Sequence, residues 1–391
     1  MISFPPLKLR YQKGHPFHNL LVLLGRSEDI HPYAILAGAF AALAAVGLIW
    51  PVHGELAVMV SVAALGIEAS IIARTWFTYS SPSPFNGPFT SFALGHLAAA
   101  AVPPLLPIAP AAMLGLHLFF QAGLFAAMLW ASTIEPFRVT LRKEEIELES
   151  ATGECRVLVI SDLHLDRRGR REEKTLELAR DFKPHIIAMP GDLTNLSFVG
   201  DPETFRQTRE FVSELCSMAR VYVSLGTPEV DPRWWIGSIL HGTPAELLHN
   251  RAVETNVNGT GLYIMGVTFQ GEENDQVEHL ARLAAANPGR PALLLFHSPD
   301  LAEVAPRFGV DLYIAGHTHG GQVRFPPAGA LYTASRFGNK YAHGKFHLNG
   351  TALVVSRGIG LEGAGAPRLR FFCPPEVVGV TIRPAHQSLR Q

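Results

Sequence analysis

Five short turns in the second half of the chain carry side chains able to hold metal ions. They are Ser161-Asp162-Leu163-His164, Pro190-Gly191-Asp192, Gly226-Thr227-Pro228-Glu229, Phe296-His297-Ser298-Pro299 and Gly316-His317-Thr318-His319-Gly320-Gly321. Carboxylate oxygen and neutral imidazole nitrogen are hard-to-borderline donors that suit Mn, Fe or Zn. In an Asp-x-His or His-x-His turn, alternate side chains can converge on one point. Asp162 with His164, His317 with His319, and the further Asp192 and His297 supply six donors, enough for two ions sharing one carboxylate. Two ions about 3.5–4 Å apart clamp the attacking and leaving oxygens of a phosphoryl displacement.

Each turn ends a short apolar run, which predicts a strand before it. Strands are expected at 157–161, 185–189, 221–225, 262–267, 292–297, 312–315, 352–356 and 377–382, with helical patterns at 172–181, 203–218 and 276–286. Strands alternating with helices predict stacked α/β layers. In such folds ligands bind at the C-terminal edge of the strands, where these turns fall.

The order Asp162-x-His164, Gly191-Asp192, His297, Gly316-His317-x-His319 resembles the calcineurin-like metallophosphoesterases. Gly-His-Thr-His-Gly-Gly-Gln, followed by Ser356-Arg357-Gly358-Ile359-Gly360 and Arg368-Leu369-Arg370-Phe371-Phe372, looks most like the membrane-associated bacterial branch of that superfamily. The likeness spans residues 154–383. It implies a four-layer α/β/β/α sandwich, two packed sheets flanked by helices, and hydrolysis of a phosphoester or phosphoanhydride bond. By the same resemblance Asp162, His164 and His319 hold one divalent ion, Asp192 bridges, and His297 and His317 hold the second. Asp192, His164 and Thr227 fall at its catalytic positions.

One turn departs from that pattern. Where the family has Gly-Asn-His-Glu or Gly-Asn-His-Asp, this chain has Gly226-Thr227-Pro228-Glu229. Thr227 offers a neutral hydroxyl in place of the Asn ligand, so the second metal site is expected to be weaker. Pro228 cannot protonate a leaving oxygen, help worth about 10²–10⁴-fold. His241 and His249 lie downstream and read as surface or structural. Arg167, Arg168, Arg170 and Arg171 follow the first turn, as a solvated helix start or an anion-binding rim. The Glu-rich run 144–149 reads as a solvated connector.

The first third of the chain has another character. Of the whole sequence 17% is charged, but residues 31–133 hold only Glu55, Glu68 and Arg74, whereas an average soluble chain is roughly 25% charged. Apolar windows at 32–51, 56–73, 92–109 and 111–131 predict an all-α membrane domain of four spans, since a bilayer core of ~30 Å needs about 20 helical residues. Glu68 reads as a structural pair with Arg74, and His96 and His117 as packed against helix neighbours. Lys8, Arg10, Lys13 and Arg26 precede the spans, Arg74 borders the link between the second and third, and Arg138, Arg142 and Lys143 follow the last. Four spans with both ends cytoplasmic put all these charges on one side. The first apolar stretch, 20–24, is too short for a cleavable signal.

The expected organisation is a cytoplasmic segment 1–31, a multi-pass membrane domain 32–133, a connector 134–153, a phosphoesterase domain 154–385 facing the cytoplasm, and a tail 386–391. The net charge of −1 argues against a nucleic-acid partner, which selects a basic excess. Three widely spaced cysteines suggest neither a disulfide framework nor a thiolate zinc site. The expected partners are the bilayer and a phosphoester substrate, with a lipid-linked one favoured by analogy. A second function class stays open, a degenerate domain that binds or regulates through the membrane domain. A third is a transporter whose only sign is Glu68.

Overall fold

A computed structural model describes residues 30, 32–79, 86–270, 273–361 and 368–385. The basic N-terminal residues Lys8, Arg10, Lys13 and Arg26 and the tail 386–391 lie outside the described residues. The chain divides into two compact units, Met1–Glu135 with Glu362–Phe371, and Pro136–Leu361 with Phe372–Gln391.

The first unit is helical. It contains α1 (Pro32–Gly47), α2 (Gly54–Tyr79), α3 (Asn86–Ala101) and α4 (Pro110–Leu129). Prolines set the breaks. Pro103 and Pro104 begin a 3₁₀ turn after α3, and Pro110 occupies the first turn of α4, where its missing N–H has no helical acceptor to lose. Large apolar side chains remain exposed, including Met59 at 67% and Phe119 at 71%, a surface that water does not favour. Among the described residues one helix, Pro110–Phe137, is long and apolar enough to cross a membrane, while Ala34–Gly47 and Phe92–Leu105 are apolar but shorter. The four windows read from the sequence thus yield four helices, of which α2 has 26 residues, but among the described residues Pro110–Phe137 alone is both long and apolar enough to span. Pro51 and Pro103 cut α1 and α3 to 16 residues each, and 16 residues rise only about 24 Å.

The second unit is built on two six-stranded sheets. The first has the order β1-β14-β2-β3-β4-β5 and the second β12-β13-β9-β8-β7-β6, with a small β10-β11 pair apart; here β5 is Glu246–Leu247, β6 Arg251–Val257, β7 Thr260–Gly266, β10 Arg324–Phe325, β11 Gly329–Ala330, β12 Gly344–Leu348 and β13 Thr351–Val355. The strands that carry the site are β2 (Cys155–Val159), β3 (Ile186–Met189), β4 (Arg220–Val223), β8 (Ala292–Leu295) and β9 (Leu312–Ala315). β2, β3 and β4 run parallel, as do β8 and β9, so their C-terminal ends share an edge within each sheet.

Two-residue alternation makes the layers. Val157, Val159, Ile186 and Ala188 meet Leu262, Ile264, Leu293, Leu295, Leu312 and Ile314 in the core between the sheets. Leu158, Ile187, Met189, Val221 and Val223 point the other way. They pack on Leu176 and Ala179 of α5 (Arg170–Phe182) and on Phe211, Val212 and Leu215 of α6 (Pro202–Cys216). The α7 helix (Arg233–Leu240) adds Trp235, Ile236 and Ile239 to that core, and α8 (Glu273–Ala285) buries Leu280 and Leu283. Burying each such side chain is worth about 1.5–3 kcal/mol.

The expected connector is partly a strand. Thr140–Leu148 forms β1, paired in parallel with β14 (Glu376–Pro384) at the sheet edge. Only Ile146 and Leu148 of its nine residues are buried. A charged edge strand protects a sheet from unwanted pairing, and its charge hides the alternation that marks an inner strand.

Candidate metal centre

The site lies where the strand ends turn. Backbone bonds zip the first two turns together, Asp162 N to Gly191 O at 3.2 Å and His164 N to Asp192 O at 3.0 Å. Another ties the fourth to the fifth, Gly316 N to His297 O at 2.8 Å. Asp162, His164, Asp192, His317 and His319 all have φ between 40° and 69°. That left-handed region costs a non-glycine residue roughly 1–2 kcal/mol. Five strained residues among six donor positions place the stored strain at the site. Two glycines permit the close approach. A Cβ on Gly226 would stand 2.2 Å from Asp192 Oδ1, and one on Gly316 2.3 Å from Asp162 Oδ2.

The six predicted donors fall into two buried groups, Asp162-His164-His319 and Asp192-His297-His317, each with donor atoms within 4.8 Å of one another. His164 Nε2 and His319 Nε2 are 3.1 Å apart, and His317 Nδ1 and His297 Nε2 3.0 Å. Facing imidazole lone pairs repel unless a proton or a cation lies between them. Asp192 Oδ2 is 3.6 Å from His164 Nε2 and 3.2 Å from His297 Nε2, so one carboxylate oxygen reaches both groups. Asp162 Oδ2 and His317 Nε2 are buried with no hydrogen-bond partner among the described residues, which buried polar atoms normally find. His297 Nδ1 lies 2.8 Å from Pro190 O. Donation to that carbonyl leaves Nε2 as the donor atom toward a metal. The residues present therefore fit a pair of divalent ions.

Electrostatics agree. Burial opposes charge on Asp192, but the charge and hydrogen bond of His297, then His164 and His317, hold its carboxyl well below the usual range. Burial also works against a charged His297, yet Asp192 and then Asp162 lift it to about 9. His317 is driven down to about 3 by burial and then by His297. Burial, then repulsion from Asp192, pushes Asp162 up to about 6 against the pull of His297. Phe269 walls the second group, its ring 5.4 Å from His297 and 4.8 Å from His317.

The departing turn also reaches the site. Thr227 N donates to Asp192 Oδ1 at 2.7 Å, and Thr227 Oγ1 donates to Asp192 Oδ2 at 3.1 Å and lies 3.5 Å from His297 Nε2. Pro228 and Glu229 are exposed. Asp231, absent from the sequence reading, is fully buried and accepts Asp192 N at 2.6 Å, Leu193 N at 2.9 Å and Gly226 N at 3.0 Å. Burial and then Asp192 push its carboxyl up to about 7, while the N–H groups of Gly226 and Leu193 pull it down. Its sequence signal was a second acid just beyond the Gly226 turn, two residues after Glu229 and four after Thr227.

Other sequence candidates stay outside. His249 Nδ1 pairs with Thr268 Oγ1 at 2.8 Å, and exposed His241 lines a separate groove with Arg209 and Trp234. The arginine run does not form a free anion rim. Arg167 pairs with Asp201, Arg168 with Glu173 and Glu214, and Arg171 with Asp166 and Glu172, while Arg170 stacks over Phe137. Carboxylates from α5, α6 and their approaches claim three of the four guanidinium groups.

Two stacked sheets with paired clusters of Asp and His at the strand ends define a dinuclear-type metallohydrolase scaffold. A model of the calcineurin-like phosphoesterases matches residues 155–321. An uncharacterized metallophosphoesterase of Bacillus subtilis, YkuE, is 35% identical over 294 residues, covering 68% of this chain and 96% of that one. The chain belongs to the calcineurin-like phosphoesterase family. It is also similar to the UDP-2,3-diacylglucosamine pyrophosphatase LpxG of Chlamydia muridarum, 34% identical over 160 residues, covering 39% of this chain and 45% of that one. A metallophosphoesterase of Caenorhabditis elegans is 27% identical over 60% of this chain and 49% of its own. The matches thus span about half the length of these last two relatives. Among solved structures, a dimetal phosphatase of Danio rerio covers 52% of this chain and 88% of its own, at 13% identity and a TM-score of 0.34.

Proposed function

We propose that this protein is a membrane-anchored, metal-dependent phosphoesterase that hydrolyses a phosphodiester or pyrophosphate bond, with lipid-linked pyrophosphates as the favoured substrate class. The observation that carries the reading is Asp192 Oδ2 standing within 3.6 Å of His164 Nε2 and 3.2 Å of His297 Nε2, one carboxylate between two donor clusters. In this reading Asp162, His164 and His319 hold one divalent ion, His297 and His317 a second, and Asp192 both. Mn, Fe and Zn suit these donors. When bound, such a pair supplies Lewis-acid stabilisation of the charge that develops in phosphoryl transfer.

The chain's own groups do the remaining work. Asp231 and the Thr227 amide orient Asp192, Pro190 O sets the His297 tautomer, and the Thr227 hydroxyl sits against Asp192 and His297. Pro228, exposed beside Thr227, can deliver no proton to a leaving oxygen. Substrates whose leaving group departs as a stable anion suit this site best, and a phosphoanhydride has one. That preference and the activity for which LpxG is named, a pyrophosphatase of a diacylglucosamine, favour the lipid-linked reading.

Residues 32–133 form the anchor in this proposal, crossing four times with both ends on the cytoplasmic side, and residues 154–385 form the catalytic domain. Local thinning of the bilayer accommodates short helices such as α1 and α3. Thr227 and Pro228 motivate a second reading, a catalytically degenerate module that regulates the helical unit. Metal analysis of the purified protein, with hydrolysis of a bis-aryl phosphate and a lipid pyrophosphate under added Mn²⁺ or Fe²⁺, separates the two. Two ions per chain with turnover support the enzyme. Zero or one ion and no turnover on either substrate remove it and leave the module.

A further inference from the structure

The helical unit holds a chain of polar side chains that its apolar composition does not require. Ser61 and Glu68 on α2, His96 on α3, and His117 and Gln121 on α4 are all buried, four of them at 0% exposure and Gln121 at 2%. Glu68 Oε2 is 2.8 Å from His96 Nε2, and His96 Nδ1 is 2.6 Å from Gln121 Oε1. Gln121 Nε2 donates to Ser61 Oγ at 2.9 Å and to His96 O at 3.2 Å. Ser61 Oγ donates to Ala57 O at 2.8 Å and lies 3.5 Å from His117 Nε2. A hydrophobic anchor needs none of this, and ionisable groups among apolar helices are expensive to keep. Glu68 has a described partner, His96; the pair with Arg74 expected from the sequence falls on a side chain outside the described residues.

Hydrogen counting settles the protonation of the pair. Reversing the Gln121 amide would set its oxygen against the His96 carbonyl, so Nε2 must face Ser61 Oγ and His96 O. Oε1 then faces His96 Nδ1, and an amide oxygen only accepts. His96 Nδ1 must carry a hydrogen. The contact between Nε2 and Oε2 needs another, either on the imidazole as an ion pair or on the carboxyl as a neutral pair. Both arrangements have zero net charge and differ only in the place of one proton. Removing that proton leaves a net negative pair in an apolar bundle, and adding a second leaves a net positive one; both are penalised by desolvation. The titratable group facing the network from α4 is His117, and α1 contributes none between Ala34 and Gly47. Glu68 Oε1 is buried with no hydrogen-bond partner among the described residues.

We propose that Glu68 and His96 form a proton-binding site within the helical unit, holding one proton that the pair exchanges with the aqueous phase. The test uses the full-length protein in phospholipid vesicles with ¹³C-labelled glutamate, followed by infrared difference spectroscopy as buffer pH is stepped from mildly acidic to alkaline. The wild type is expected to show one buried carboxyl or carboxylate transition per chain that is absent from Glu68→Gln. That variant keeps the network, because Gln Nε2–H can donate to a neutral His96. Identical difference spectra for wild type and Glu68→Gln would overturn the proposal. If Glu68→Gln does not fold, ¹⁵N-histidine spectra of the wild type read the same site. A His96 Nε2 shift that moves with pH supports exchange, and an invariant one overturns it.

Discussion

Asp231 grips the backbone of Asp192. Its Oδ2 accepts the Asp192 N–H at 2.6 Å and the Gly226 N–H at 3.0 Å, while Oδ1 accepts the Leu193 N–H at 2.9 Å. One buried carboxylate thereby fixes two of the turns that meet at the candidate metal centre. Asp192 has φ near 55°, a conformation that persists only where its surroundings enforce it.

Removing that grip should loosen the site more than its distance from the donors suggests. Asp231→Ala leaves three buried N–H groups unpaired, and each orphaned group costs about 1–3 kcal/mol. The expected outcome is a folded protein of clearly lower Tm that retains less metal than wild type. Asp231→Asn keeps one accepting oxygen and should fall between the two. Wild-type metal content in Asp231→Ala would show that Asp192 holds its place without help.

The assignment of Asp192 to both ions predicts unequal effects within the donor set. Asp192→Asn should lower occupancy of both sites, whereas His319→Ala should mainly empty the first. Metal analysis of the two variants after dialysis reads the difference directly. Small and equal losses would remove the shared-carboxylate arrangement.

The Thr227-Pro228 turn predicts a gain. Restoring a neutral side-chain oxygen and a proton donor, in Thr227→Asn with Pro228→His, should raise second-site occupancy and kcat on substrates with poor leaving groups. A tenfold rise corresponds to about 1.4 kcal/mol of transition-state stabilisation. The same variant should gain little on a pyrophosphate, whose leaving group needs no proton. No change in metal or rate would mean that Thr227 does not stand in for the ligand.

Gly226→Ala tests the packing behind the site. Its Cβ would overlap Asp192 Oδ1 at 2.2 Å and Asp192 N at 2.5 Å, so the Asp192 turn must move. A loss of turnover with a stable fold is expected, read as a fall in kcat together with reduced metal content.

The arginine run offers a negative control. Arg168 pairs with Glu173 and Glu214, whose side chains are 58% and 37% exposed while its own is 21% exposed. Arg168→Gln should lower stability by about 1 kcal/mol, the upper end for ion pairs with solvent-exposed partners, and leave KM for an anionic substrate unchanged. A raised KM would restore the anion-rim reading.

Much of the second unit could be read from residue order, because each donor sits within five residues of a strand end. Where a strand ends in a parallel sheet is a local property of an apolar run, and four such ends carry Asp162, His164, Asp192, His297, His317 and His319. The β1 strand escaped because an edge strand exposes most of its side chains and carries charge, so its alternation resembles that of a solvated connector. The four apolar windows were equally legible as helices, but their lengths were not. Prolines and local packing decided where each one stopped.

The sequence by itself determined the strand-helix alternation, the donor types and their order along the chain, because hydrophobic period and side-chain chemistry are carried residue by residue. Only the tertiary structure decided that Asp231 clamps Asp192 from 39 residues away, that the arginines are already paired, and that Glu68 meets His96 across 28 residues. Each of these is a contact between segments remote in sequence. Such contacts are set by how sheets and helices pack, and no local pattern of residues encodes the distance between them.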